Sequence, residues 1–196
     1  IQRRNFGYIV AYENGTDVLA NVDDDNIPYE NWGENLSINK EIEYDCFESE
    51  NGYFDPLSAT NENKLWHRGY PIELVKTKNK IKNLGIKKKK PMIQADLWDG
   101  DPDIDAICRL SMMPEVKYDN KNYFGSEQLS PFNTQNTFFS REIIPRFMVI
   151  PHVGRMDDIW AAYFVQKEFP NSLIFGPSSV YQERNEQDLI KNLENE

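Results

Sequence analysis

Asp23-Asp24-Asp25 follows directly on Val18-Leu19-Ala20-Asn21-Val22, and that junction limits the possible folds more than any other stretch of the chain. The nearly continuous apolar run predicts a short strand over 17–22, buried on both faces. Ahead of it, Phe6, Ile9, Val10 and Ala11 follow helical spacing between Asn5 and Tyr12, and Glu13-Asn14-Gly15 supplies the stop. Helix, strand and then acids at the strand's carboxyl end is an α/β arrangement, and open α/β sheets bind ligands at that edge. Three adjacent carboxylates repel one another, so they need a cation or hydrogen-bond donors to compensate. Hard oxygen ligands suit Mg2+ or Mn2+, ions that share their coordination with substrate phosphates. In an extended segment Asp23 and Asp25 point to one side and Asp24 to the other, which makes Asp23 and Asp25 the candidate metal ligands. An acidic turn that is merely solvated or caps a helix accounts for the triplet equally well when it is read alone.

A length of 196 residues suits a single domain, 1–196, with no internal repeat and no long linker. The net charge of −10 argues against a nucleic-acid binder, which needs a basic footprint. The exception is Lys87-Lys88-Lys89-Lys90, with Lys76, Lys78, Lys80 and Lys82 upstream. Such a run is expected to be a solvated loop, with a docking patch for an anionic partner as the alternative. Cys46 and Cys108 lack metal-ligand spacing and mildly favour a reducing compartment. With no signal-like start and no apolar run of membrane-spanning length, a cytoplasmic location is expected.

Residues 30–64 are polar and poorly periodic and are expected to be loop, and 66–75 form an apolar segment. Strands are expected over 92–97, ending at Phe138-Phe139, and over 173–175. A short helix is expected over 102–110 with Asp101 as its N-cap and Pro102 in its first turn. Ser140-Arg141-Glu142 opens a brief helix that Pro145 limits, and a terminal helix is expected over 186–193. The clearest helix spans Asp157 to Phe169, with Ile159, Trp160, Tyr163, Phe164 and Phe169 marking its apolar face. Met112-Met113 read as core filler and His67 as structural. No Gly-x-Ser-x-Gly, Walker or Cys-His pattern is present, so hydrolase and nucleotidase chemistry has no support.

The segment from Arg3-Arg4-Asn5-Phe6-Gly7-Tyr8 through Val22-Asp23-Asp24-Asp25-Asn26 resembles the Arg-Asn-x-Gly helix, strand and Asp-x-Asp motif of GT-A glycosyltransferases. Four further blocks narrow the resemblance: Arg68-Gly69-Tyr70-Pro71, Leu97-Trp98 to Asp105-Ala106, Phe132-Asn133 to Ser140-Arg141-Glu142, and Gly154-Arg155-Met156-Asp157-Asp158-Ile159-Trp160-Ala161. In order and spacing they are similar to the reversibly glycosylated polypeptide (UDP-arabinopyranose mutase) family and the related STELLO-like proteins. The resemblance implies a GT-A-like mixed sheet flanked by helices, apparently lacking its first strands, since those precede the Arg-Asn helix in the family. It implies a nucleoside diphosphate sugar, usually UDP-linked, and Mn2+ or Mg2+ as cofactor.

Carried over by position, Asp23 and Asp25 hold metal and diphosphate with Asp24 beside them, and Arg3, Arg4 and Asn5 lie near the nucleotide. Arg68 acts as a phosphate or carboxylate clamp. Asp157 and Asp158, at a helix N-terminus that favours the ionised form, face the sugar or acceptor as candidate catalytic bases. Asp103 and Asp105, in the cluster with Asp96, Asp99 and Asp101, are expected to take sugar hydroxyls while Trp98 stacks on the sugar. An N-cap pair and a solvated acidic loop are the structural alternatives.

Two positions depart from the family pattern. Asn61 stands where the mutases place a sugar-accepting arginine, which favours transfer over mutase chemistry. Gln182 stands near the late metal-binding histidine of many GT-A enzymes, with His152 as a remote alternative. The expected function is a metal-dependent transferase moving a sugar to a glycan or other hydroxyl acceptor. A UDP-sugar mutase and a non-catalytic scaffold subunit are the alternatives, and the chain is a possible homo-oligomer because an exposed sheet edge favours association.

Overall fold

The computed structural model describes residues 2–183 and 187–196. Its elements, in chain order, are helix α1 (Gln2–Glu13) and strands β1 (Val18–Val22), β2 (Asn26–Pro28), β3 (Ile42–Ser49), β4 (Ile81–Lys89) and β5 (Ile93–Gly100). Helix α2 (Ala106–Met112), β6 (Phe124–Gly125), β7 (Asn136–Ser140), α3 (Asp157–Glu168), β8 (Leu173–Gln182) and α4 (Leu189–Glu194) follow. The strands form one mixed sheet in the order β1-β7-β5-β8-β6-β3-β4, with β2 paired to β8. The architecture is therefore mixed α/β, a large sheet flanked by helices.

Strand directions decide where a site can form. β1 is antiparallel to β7, β7 is antiparallel to β5, and β5 is parallel to β8. The carboxyl ends of β1, β5 and β8 and the start of β7 consequently meet at one end of the sheet. The middle of the sheet is the driest part: every residue of β5 and of β7 is buried. One face of β5 gives Ile93, Ala95 and Leu97 to the main core, joined there by Phe139 of β7, Phe175 of β8, Tyr8 of α1 and Ala162 and Val165 of α3.

The other face of β5 carries Gln94 and Asp96, polar residues that a buried strand tolerates only when they are satisfied. Ser37 donates to Gln94 Oε1 from its N–H at 2.8 Å and its hydroxyl at 2.6 Å. Gln94 Nε2 in turn donates to Asp96 at 2.7 Å, and Ser179 Oγ donates to the other Asp96 oxygen at 3.1 Å. Burial still pushes the Asp96 carboxyl up from 3.8 to about 7, against the pull of both hydrogen bonds. A carboxyl raised in the fold binds its proton more tightly there than in the unfolded chain. Its contribution to stability is complete below about pH 4 and is lost as pH rises through about 7. Asp96→Asn should therefore melt close to the parent at pH 4 and above it at pH 8, as thermal unfolding at the two pH values would show.

Several expectations from sequence are corrected here. β1 is not buried on both faces: among the described strands it pairs only with β7, and Val18, Leu19 and Val22 are half-buried. The region 30–64 holds the eight-residue β3, whose Ile42, Tyr44 and Cys46 alternate with Glu43 and Asp45. The lysine run is not a loop, because most of it belongs to the edge strand β4. Lys87 and Lys88 pair with Glu127 (2.9 Å) and Glu43 (3.7 Å), and buried Lys89 donates to Asn171 Oδ1 at 2.7 Å and Leu173 O at 3.0 Å. Lysines on an outermost strand also discourage edge-to-edge pairing.

The helix expected over 102–110 starts later, capped by Asp105, whose carboxylate accepts from Ile107 N–H and Cys108 N–H. Asp101, expected as that cap, instead pairs with Arg109 at 2.6 Å. In α3 the buried face is Asp158, Ile159, Ala161, Ala162, Val165 and Gln166, while Trp160 and Phe164 are exposed. Alanines and a valine supply much of that buried face, which the spacing of large apolar residues does not reveal. Met112 and Met113 are exposed rather than core filler. The segment 141–146 is a run of turns, and the segment over 66–75 lies in turns ending in a 3₁₀ stretch. The terminal helix is present as α4; the expected start at Glu186 lies outside the described residues. No described helix is long and apolar enough to cross a membrane.

Candidate active site

A polar cleft of about 350 Å³ opens at the end of the sheet where β1, β5 and β8 finish. Arg4, Asp23, Asp25, Arg68, Asp103 and Gln135 line it, together with residues 154, 155, 157 and 158 and Gln182. Residues separated by more than 150 positions meet there because three parallel strands end together.

The acidic turn forms its part of the wall by a tight turn rather than by extended alternation. Asn26 N–H donates to Asp23 O at 3.2 Å, closing the chain on itself. Asp23 and Asp25 both reach the cleft, whereas Asp24 is exposed and outside its lining. Arg4, in the first turn of α1, donates to the Asp23 carboxylate and to Thr134 Oγ1. Burial alone would disfavour the Arg4 charge, but Asp23 outweighs it and the guanidinium is held more firmly protonated than usual. Gln182 Nε2 lies 3.4 Å from both oxygens of Asp25.

The opposite wall is a buried ionic lattice centred on Arg68. Its Nε and Nη2 donate to the two oxygens of Asp103, each at 2.8 Å, in the forked geometry that suits a guanidinium. Its Nη1 reaches Asp158 at 3.2 Å and also donates to Arg155 O. Asn133 Nδ2 donates to Asp103 at 2.6 Å, and Thr134 donates to Asp158 through its N–H at 2.9 Å and its hydroxyl at 3.1 Å. Burial opposes the Arg68 charge, but Asp103 and then Asp158 raise its proton affinity well above the ordinary value. Gly69 follows at φ +81°, and a Cβ there would stand 2.2 Å from Ile159 Cγ2, so only glycine lets this loop meet α3 so closely.

Asp157 differs from its neighbour. It is half-buried in the first turn of α3, lines the cleft, and its proton affinity is raised by burial first and by the Asp158 charge second. It is the carboxylate best placed to accept a proton in this cleft. Asp158, by contrast, is committed to Arg68 and Thr134.

Other candidates fall elsewhere. Trp98 is buried and donates from Nε1 to Asp101 O at 3.0 Å, so it cannot stack on a ligand in the cleft. Asp103 lines the cleft but is spent on Arg68, and Asp105 caps α2. Asn5 exchanges two 2.9 Å hydrogen bonds with Val149, tying α1 to the segment before α3 instead of facing the cleft. Arg3 and Asn61 are exposed and outside the lining, as is His152. His67 is buried with Nδ1 donating to Arg68 O at 2.7 Å, as a structural residue should be. Gln135, Thr134 and Arg155 were not singled out from sequence. Only the block resemblance around 132–142 and 154–161 pointed to their neighbourhood.

No family model matches the chain, and no curated protein does either. The chemistry of the cleft therefore rests on its donors. Among the described residues no three His, Cys, Asp or Glu side chains converge on one point. A cation held by Asp23 and Asp25 would draw its remaining ligands from amide oxygens, phosphate or water. The donors present are all oxygen, and one of them, Gln135 Oε1, is buried without a hydrogen-bond partner among the described residues. That set fits a hard divalent ion better than a soft one.

Proposed function

We propose that the chain is a GT-A-like glycosyltransferase that uses a nucleoside diphosphate sugar, UDP-linked by the resemblance, and transfers the sugar to a glycan or other hydroxyl acceptor. The observation that carries this reading is the meeting of Arg4, Asp23, Asp25, Arg68 and Asp157 around one cleft at the carboxyl edge of the sheet. Cationic and carboxylate groups on both walls suit a ligand with a charged diphosphate and a neutral polyol.

Asp23 and Asp25 would hold Mn2+ or Mg2+, and a cation there would offset the charge that builds on the diphosphate leaving group. Arg4 spans the mouth between Asp23 and Thr134 and can turn its guanidinium to phosphate oxygens, which accept forked bonds as carboxylates do. Arg68, fixed on three sides, keeps α3 and the 154–158 segment in register and does not reposition. Asp157 takes the proton of the acceptor hydroxyl if the transfer inverts the anomeric carbon. The exposed amide of Asn61 cannot act as the sugar-accepting guanidinium of a mutase, which favours transfer.

The test is release of UDP from a panel of UDP-sugars with Mn2+ and hydroxyl acceptors, alongside ring-form analysis of UDP-arabinopyranose. Acceptor-dependent UDP release supports the proposal. Ring contraction without UDP release would replace it with the mutase reading, and neither activity, with no binding of UDP, would leave the scaffold reading. Because Arg4 competes with any cation for Asp23, Arg4→Met should bind Mn2+ alone more tightly than the parent. The same variant should bind UDP with Mn2+ more weakly, by about tenfold for the loss of one charge-assisted contact. Titration calorimetry measures both.

A further inference from the structure

Gln135 belongs to none of the motifs above, yet the sheet delivers it to the acidic turn. Val22 of β1 pairs with Asn136 of β7, so the next step of the ladder sets Gln135 opposite Asp23. Asp23 N–H donates to Gln135 O at 3.2 Å, and Asn26 Nδ2 donates to the same carbonyl at 2.7 Å. The Gln135 N–H is held by Asn133 Oδ1 at 3.1 Å. The Gln135 carbonyl is thus fixed to the turn that carries Asp23 and Asp25, while its N–H is held within its own segment.

Its side chain lines the cleft with those two aspartates and is 9% exposed. Oε1 is buried and has no hydrogen-bond partner among the described residues. An acceptor left in that condition costs about 1–3 kcal/mol, and native proteins keep such groups chiefly where something else satisfies them.

We propose that Gln135 supplies a third oxygen ligand to the divalent cation held by Asp23 and Asp25. This rests on the reading of the cleft as a cation and diphosphate site, and it adds the residue that completes the protein's share of the coordination. A neutral amide oxygen beside two carboxylates is an ordinary ligand for a hard cation, and it raises the ligand number without adding repulsion to the aspartate pair. The assignment also explains why an amide, and not a third acid, stands opposite Asp23, where Arg4 already offsets one carboxylate.

The experiment is calorimetric titration of Mn2+, alone and with UDP, into the parent and into Gln135→Ala, Gln135→Glu and Asp25→Asn. Electron paramagnetic resonance of bound Mn2+ gives a second readout. Gln135→Ala should weaken Mn2+ binding at least about tenfold, Gln135→Glu should match or exceed the parent, and Asp25→Asn should lose binding. If Asp25→Asn loses Mn2+ while both Gln135 variants bind as the parent does, the proposal is overturned and the cation reading of the cleft stands. If the parent takes up no Mn2+ with or without UDP, both fail together. Should Gln135→Ala not fold, Gln135→Glu decides: weaker binding overturns ligation, and tighter binding with a changed Mn2+ spectrum supports it.

Discussion

Arg68→Met is expected to lower stability by about 3–5 kcal/mol, the cost of leaving buried charges without their partner. For a chain of this length that corresponds to a fall in Tm of roughly 10 °C. The reason is geometric. Arg68, Asp103 and Asp158 are each less than a tenth exposed at the side chain, and one guanidinium serves both carboxylates. Its removal takes the only described ion pair from Asp158 and leaves Asp103 with the more distant Arg155, at 3.9 Å. Arg68→Lys should recover little, since an ammonium cannot make the fork to Asp103 together with the bond to Asp158. Pairing Arg68→Met with Asp103→Asn should recover part of the loss, because one of the two buried carboxylates goes with it. Thermal unfolding of the four proteins measures this. If Arg68→Met melts with the parent, the lattice is not what holds the 154–158 segment to the sheet.

Asp25→Asn carries the largest expected effect on function. On the proposed function, loss of one carboxylate from the proposed cation site should lower the rate of UDP release by about 10²–10³-fold, the scale for removing one group that stabilises developing charge. Asp24→Asn should leave it nearly unchanged, since Asp24 is exposed and outside the cleft. Both substitutions remove one charge from the same turn, so their contrast separates ligation from general electrostatics. Equal losses in the two variants would point to the summed negative charge of the turn and away from a coordinated ion. Melting temperatures close to the parent's would show that neither change acts through folding.

Much of the site was legible in the chain because it depends on local rules. The stop at Glu13-Asn14-Gly15, the strand that follows and the acids at its end were all readable in sequence, and Gly15 indeed adopts φ +78° where α1 ends. The helix over 157–169 was equally clear, bounded by two acids and a proline. Trp98 shows where such reasoning fails. A tryptophan among aspartates suggests a sugar platform, but the residue sits on a strand with both faces covered, and burial of that kind comes from segments remote in sequence. Trp160 and Phe164 fail in the opposite sense: their size suggests a core face, yet both are exposed while Ala161 and Ala162 are buried.

The sequence by itself determined an α/β chain with an acidic turn at the carboxyl end of its first strand, because helix stops, strand runs and charge repulsion act within a few residues. Only the tertiary structure decided which charges face the cleft and which are spent on one another. Asp157 and Asp158 are adjacent and chemically identical, but Arg68 and Thr134 claim Asp158 and leave Asp157 half-buried at the opening. Gln135 gains its place from the β1–β7 register alone. Partnership across 24 to 112 residues is set by strand pairing and burial, and neither leaves a signature in local composition.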